Sequence, residues 1–201
     1  MKPAAVALAS RNPGKLREIR TILAEAGVPL QVVSADDFPG WEAPYETEPD
    51  YAGNALLKAR SLAAFAGVPT LADDSGIEVD ALDGGPGPRS ARFAGGSATD
   101  EENLTKLIGV VRNVAPKRRT VRYRCVAVLV TPAGDEAIAE GTVEGTLIIE
   151  PRGSGGFGYD PIFVPDGETR TMAELSPEEK DRISHRGKAF RRLVDALRAL
   201  S

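Results

Sequence analysis

The chain has 201 residues, 42% of them hydrophobic, and a formal net charge of −4. This length supports one substantial core and a single domain over residues 1–201, the acidic balance excludes a broad nucleic-acid surface, and the apolar runs are strand-sized, too short for a membrane span. One cysteine, Cys125, excludes a disulfide framework and a thiolate metal cluster, and Met1-Lys2-Pro3 runs into Ala4 with no cleavage-type signal, so a cytoplasmic protein is expected.

The first strand is expected over Ala4 to Ala9, followed by Ser10-Arg11-Asn12-Pro13-Gly14-Lys15 and a helix to about Ala26. Leu16, Ile19, Leu23 and Ala26 recur at helical spacing, and Gly27 with Pro29 stops the helix. A second strand over Leu30 to Val33 completes a β-α-β unit, the pattern of parallel strands and a right-handed crossover. Asp36 to Pro49 reads as a long loop and Tyr51 to Ala66 as a helix ended by Gly67. Val68 to Ala72 is a third strand, and the acids of Asp73-Asp74-Ser75-Gly76 fall where the apolar run ends and glycine marks the chain leaving the sheet at its carboxyl edge. Ile77 to Val79 continues extended, Asp83 to Arg89 is too rich in Gly and Pro for regular structure, and Asp100 to Val114 is a helix capped by Thr99 or Asp100. Val121 to Val130 and Glu136 to Ile149 form a hairpin, which adds antiparallel strands to a sheet that began parallel. Pro177 to Leu200 is helical with an interruption near Ser184-His185-Arg186-Gly187. The fold class is α/β with a mixed sheet.

Three segments carry candidate chemistry. An acidic pair at a strand end can hold a divalent cation and activate a water, although Asp-Asp-Ser-Gly is equally good turn chemistry. Ser10 to Lys15 joins a strand to a helix, where backbone N–H groups and the helix dipole favour an anion and Lys15 adds a point charge; the spacing of a Walker A loop is absent. Gly155-Gly156-Phe157-Gly158-Tyr159-Asp160 offers close backbone approach, two aromatics able to stack on a planar base, and a carboxylate. His185 is the one histidine and cannot build a multi-histidine metal site. These features fit a metal-assisted phosphohydrolase or a nucleotide-binding module without chemistry. An NAD-type fold is disfavoured because no G-x-G-x-x-G follows the first strand.

Six segments, in order, resemble the inosine triphosphate pyrophosphatase family, whose members are also called dITP/XTP pyrophosphatases. They are Leu8 to Glu18, Asn54-Ala55-Leu56-Leu57-Lys58-Ala59, Ala72 to Gly76, Gly87 to Gly95, Gly156 to Phe163 and Ser184 to Ala189. The resemblance implies an elongated, strongly twisted mixed sheet flanked by helices, two lobes with the nucleotide cleft between them, and a homodimer. It also implies Mg²⁺-dependent hydrolysis of ITP, dITP or XTP to the monophosphate and pyrophosphate, with no membrane or stable nucleic-acid partner; hard oxygen ligands suit Mn²⁺ as well. By the same resemblance Ser10, Arg11, Asn12, Pro13, Gly14 and Lys15 bind phosphates, Asp74 is the proton acceptor and a metal ligand, and Ser75 touches substrate. Phe157, Gly158, Tyr159, Asp160, Lys180, His185 and Arg186 hold base and phosphates, and Glu46 is the second metal carboxylate. Asp73 is left as a supporting acid.

The chain departs from the family at one point. Gly53 precedes Asn54-Ala55, where the family commonly has Glu. Glu46, Glu48 and Asp50 are the acids able to cover for it. A related pyrophosphatase acting on other modified nucleotides, and a non-catalytic nucleotide sensor, are the competing functional readings.

Overall fold

A computed structural model of the chain describes residues 5–200. Ala4, where the first strand was expected to begin, lies outside the described residues. The elements are β1 (Ala5–Leu8), α1 (Pro13–Glu25), β2 (Gln31–Ser34), α2 (Tyr51–Ala66), β3 (Thr70–Val79), α3 (Asp100–Val111), β4 (Thr120–Val130), β5 (Glu136–Leu147), β6 (Phe163–Pro165), α4 (Pro177–Ile183), α5 (His185–Arg192) and α6 (Val194–Arg198). The strands form one six-stranded mixed sheet in the order β2-β1-β3-β4-β5-β6.

The chain divides into two compact units, and β3, β4 and β5 contribute residues to both. The first comprises residues 1–74, 125–141 and 186–201. Within it β1 lies parallel to β2, with Val6 opposite Val32, and parallel to β3, with Leu8 opposite Leu71. Because alternate residues of a strand face opposite sides, β1 and β4 divide their apolar side chains between two cores. Val6, Leu8, Cys125, Ala127 and Leu129 pack with Ile19, Ile22 and Leu23 of α1 and with Phe190 and Leu197 near the C-terminus. Ala7, Ala9, Val126, Val128 and Val130 pack with Tyr51, Ala55, Ala59 and Leu62 of α2. Helices on both faces explain why these strands read as unbroken apolar runs.

The second unit comprises residues 75–124 and 142–185. Its core gathers Ile77, Val79, Leu107, Val111, Val121, Tyr123, Leu147, Phe163 and Met172. β5 and β6 pair antiparallel, with Leu147 opposite Phe163. The β4–β5 turn is closed by the Thr131 N–H donating to the Asp135 carbonyl at 2.9 Å.

The structure corrects the sequence reading at β3. Asp73, Asp74, Ser75 and Gly76 lie inside that ten-residue strand, which continues to Val79 rather than leaving the sheet at Gly76. Burial normally ends a strand where charge begins, but here Asp73 and Asp74 are buried at 3% and 6% exposure, their charges met by cationic side chains. Smaller shifts follow local chemistry. α3 stops at Val111, and the C-terminal segment breaks at Ser184, as expected, and again after Arg192.

Candidate active site

Helix α1 begins with Asn12 as its cap and Pro13 in the first turn, where the missing N–H costs nothing. The Asn12 side-chain oxygen accepts from the Gly14 and Lys15 N–H groups at 2.8 and 3.2 Å, and the Ser10 hydroxyl accepts from the Asn12 N–H at 3.1 Å. The first-turn donors are thus already engaged by the loop itself, so positive charge there comes from the Lys15 side chain. Arg11 is drawn sideways, donating to the Trp41 carbonyl at 2.9 Å and pairing with Asp36 at 3.2 Å.

Lys15 Nζ reaches both oxygens of Asp73 at 2.9 Å. Asp73 Oδ2 also accepts from Arg186 Nε at 3.1 Å, and Arg186 Nη1 donates to Glu18 at 3.3 Å. Arg186 is only 4% exposed. Burial pushes the Asp73 carboxyl up, but Lys15, Arg186 and Lys58 outweigh it and hold the group well below the usual carboxylate range. Asp73 is therefore an anchoring anion, tying the α1 entry loop to α5 within the first unit.

Its neighbour behaves oppositely. Desolvation, joined by the like charges of Glu46 and Asp73, pushes the Asp74 carboxyl up to about 6, although Lys58 and Lys15 pull the other way. Asp74 Oδ2 accepts from Asn54 Nδ2 at 3.3 Å, and Lys58 Nζ stands 3.6 Å from Asp74 Oδ1. The same ammonium donates to Glu46 Oε1 at 3.0 Å and to the Asp73 carbonyl at 2.8 Å. Burial works against the Lys58 charge, yet Asp74, Asp73 and Glu46 together raise its pKa. Asn54 and Lys58 are four residues apart in α2, hence on one helical face. Sequence reasoning assigned them no role, and that spacing, with both inside a family-like segment, was the available signal.

Glu46 and Asp74 also answer whether these residues suit a divalent cation. Two carboxylates flank a cation, the Lys58 ammonium, and their oxygens are hard donors of the kind Mg²⁺ and Mn²⁺ prefer. Among the described residues no three His, Cys, Asp or Glu side chains converge as a ready metal cage. Mg²⁺ commonly makes do with one or two carboxylates plus substrate phosphates. The residues fit the ion.

The second unit carries a separate cluster. Asp160 Oδ2 accepts from Lys180 Nζ at 2.5 Å and from the Phe157 N–H at 2.9 Å. Tyr123 OH donates to Asp160 Oδ1 at 3.2 Å, and its ring stacks on His185, with centroids 4.7 Å apart. Lys180 Nζ lies 4.7 Å from the Phe157 ring centroid, and the Phe157 ring is one of the few large exposed apolar groups. The Gly158 N–H donates to Asp100 at 3.0 Å, and the Tyr159 hydroxyl donates to the Ser90 carbonyl at 2.7 Å. Gly156 has φ of +74°, and a Cβ there would fall on the Asp160 carboxylate, so the turn requires glycine. Ser75 lies half-buried in β3. Tyr123 was missed from the sequence because a tyrosine in an apolar strand reads as core; its buried hydroxyl, which needs a partner, was the only hint.

The fold is thus a mixed α/β sheet of the nucleotide-pyrophosphatase type, with a buried acid pair met by lysines in one unit and an aromatic, glycine-rich loop with its own lysine in the other. Residues 6–196 match the model of the Ham1 family, and the chain belongs to that family. It is 51% identical to a dITP/XTP pyrophosphatase of Streptomyces coelicolor, covering 96% of both chains, and 46% identical to one of Shigella flexneri, covering 96% of this chain and 98% of that one. Among solved structures, a Ham1 protein from Coxiella burnetii is 38% identical with a TM-score of 0.88, covering 96% of this chain and 98% of that one. A nucleoside-triphosphatase, dITP/XTP pyrophosphatase, from Mycobacterium abscessus is 43% identical with a TM-score of 0.76, covering 96% and 97%.

Proposed function

We propose that this chain hydrolyses the triphosphates of non-standard purine nucleosides, ITP, dITP and XTP, to the monophosphate and pyrophosphate, and so removes them from the nucleotide pool. Residues 1–201 act as one pyrophosphatase domain, in the cytoplasm and as a homodimer, without membrane or stable nucleic-acid partners. The observation that carries the reading is Asp74, a buried carboxylate set between Asn54 and Lys58 in a chain so close to named dITP/XTP pyrophosphatases. A fixed carboxylate can accept a proton from water, and a cation that lowers the water's pKa narrows the gap between the two.

In this mechanism Asp74 takes a proton from a water that attacks the α-phosphorus, the bond to the bridging oxygen breaks, and pyrophosphate leaves. Asn54 and Lys58 hold the Asp74 carboxylate in place. Lys15, kept in place by Asp73, lies beside the α1 entry loop and meets phosphate charge. Mg²⁺, held by Asp74 and Glu46, would neutralise phosphate oxygens and acidify a water. Phe157 offers a face for the base, and Lys180 and His185 offer donors for a 6-keto oxygen, which adenine lacks. A site built to donate to a keto group leaves its donors unmatched against an amino group, a mismatch that costs several powers of ten in rate. Arg186, with Nε and Nη1 committed to Asp73 and Glu18, steadies the carboxylate on which Lys15 rests.

The test is a panel of nucleoside triphosphates with Mg²⁺ and product identification. ITP, dITP and XTP are expected to give monophosphate plus pyrophosphate, with ATP and GTP far slower. Orthophosphate release, equal rates for ATP, or preference for a modified pyrimidine would reject the proposal, and binding without turnover would mark a sensor.

A further inference from the structure

We infer that Asp160 and Tyr123 are positioning residues that set the lysine and aromatic ring of the second unit, Lys180 and Phe157, and that Asp160 acts through them rather than by touching the nucleotide. The inference rests on the pyrophosphatase reading for its kinetic readout alone. Asp160 is 4% exposed and meets three protein donors: Lys180 Nζ, the Phe157 N–H and the Tyr123 hydroxyl. A carboxylate so surrounded has little left to offer a ligand.

The groups it holds are more open. The Lys180 side chain is 18% exposed and the Asp160 side chain 5%, while Phe157 is 46% exposed. One carboxylate therefore sets both the ammonium and, through the backbone, the ring beneath it. Each can reach solvent while their common anchor cannot.

Tyr123 secures the anchor from inside. Its ring is stacked on Phe163 at 4.4 Å and on His185 at 4.7 Å, which fixes the direction of its hydroxyl. Burial and the Asp160 charge push the phenol well above its usual range, so Tyr123 stays a donor at any working pH. The chain Tyr123–Asp160–Lys180 links a strand of the second unit to α4, and His185 is braced by the same ring.

A double-mutant cycle tests this. Tyr123→Phe removes one neutral hydrogen bond and is expected to raise KM for ITP about fivefold with kcat nearly unchanged. Asp160→Asn removes a charge-assisted anchor and is expected to lower kcat/KM about thirtyfold. In a Lys180→Met background the Tyr123→Phe loss should shrink to less than twofold and the Asp160→Asn loss to about threefold, the part that acts through the Phe157 N–H. Losses that multiply in full in that background would overturn the inference, as direct contact between Asp160 and substrate requires.

A second readout does not depend on turnover. Acylation of the Lys180 amine by acetic anhydride, followed by peptide mass mapping, should accelerate at least threefold in Asp160→Asn relative to the unaltered protein. An unchanged rate counts against positioning. Accelerated acylation in a protein that hydrolyses none of the nucleotides would sink the pyrophosphatase proposal and leave the positioning role supported.

Discussion

Asp73 and Asp74 are adjacent carboxylates, both nearly buried, that the fold drives in opposite directions. Asp73 faces Lys15 and Arg186, and Asp74 faces Lys58 along with two like charges. Asp74→Asn is expected to reduce turnover by about three orders of magnitude, the scale of a lost general base, with nucleotide binding retained; retained turnover in a steady-state assay would remove Asp74 from the role. The same substitution has a sign in stability. An acid whose folded pKa, about 6, exceeds its unfolded value of about 4 contributes stability when protonated, and that contribution disappears as pH rises through about 6. In the presence of chelator Asp74→Asn should therefore be more stable than the unaltered protein by about 1–2 kcal/mol at pH 7.5. The gap should close below about pH 4; thermal unfolding at the two pH values measures it, and equal or lower stability at pH 7.5 would contradict the assignment.

At the scale of elements, the sequence showed the order of the first five strands and of the helices, but missed the short β6 and misplaced the end of β3. The hydrophobic pattern stops at Ala72, and what carries the strand onward is compensation by Lys15, Lys58 and Arg186, residues far away in sequence. Long-range ion pairing leaves no periodic trace, so the acids looked like a strand's end. Gly53 lies among the acids named to cover for it. A Cβ on Gly53 would lie 2.6 Å from Glu48 Cβ and 2.8 Å from its Cγ, so the Glu48 stem occupies the space a longer residue would need. Asp50 is spent as the α2 cap, accepting from the Gly53 N–H at 2.8 Å, and Glu46 is paired with Lys58. Gly53→Ala, which in an open helix would stabilise, is accordingly expected to destabilise by about 1 kcal/mol in denaturant unfolding. Glu48→Gly should restore the ordinary benefit of alanine. A stabilising Gly53→Ala in the unaltered background would show that the two side chains do not compete.

Over the whole molecule, family membership was legible because its motifs are local and ordered along the chain, whereas the partnerships that give each motif its charge state were not. Every lysine of the two clusters is matched to an acid: Lys15 to Asp73, Lys58 to Glu46 and Asp74, Lys180 to Asp160. This agrees with a net charge of −4 in a protein proposed to handle polyanions. The cationic groups are held in readiness without an excess of positive surface, which also limits non-specific attraction to nucleic acid.

Lys58 has a consequence for the life of the protein between encounters with metal. Its ammonium rests on Glu46, Asp74 and the Asp73 carbonyl, so on the proposed metal-dependent mechanism it would serve as a resident placeholder for the ion. A cation that is part of the chain cannot diffuse away, so the acids stay quiet when the metal supply falls. Removing Mg²⁺ should then barely move the melting temperature of the unaltered protein. Lys58→Met should instead lose about 3 kcal/mol in chelator, as expected for a broken buried pair, and recover part of it when Mg²⁺ is added. A Lys58→Met melting curve indifferent to Mg²⁺ would show that the lysine is no placeholder. With it, the enzyme is built to idle empty and intact.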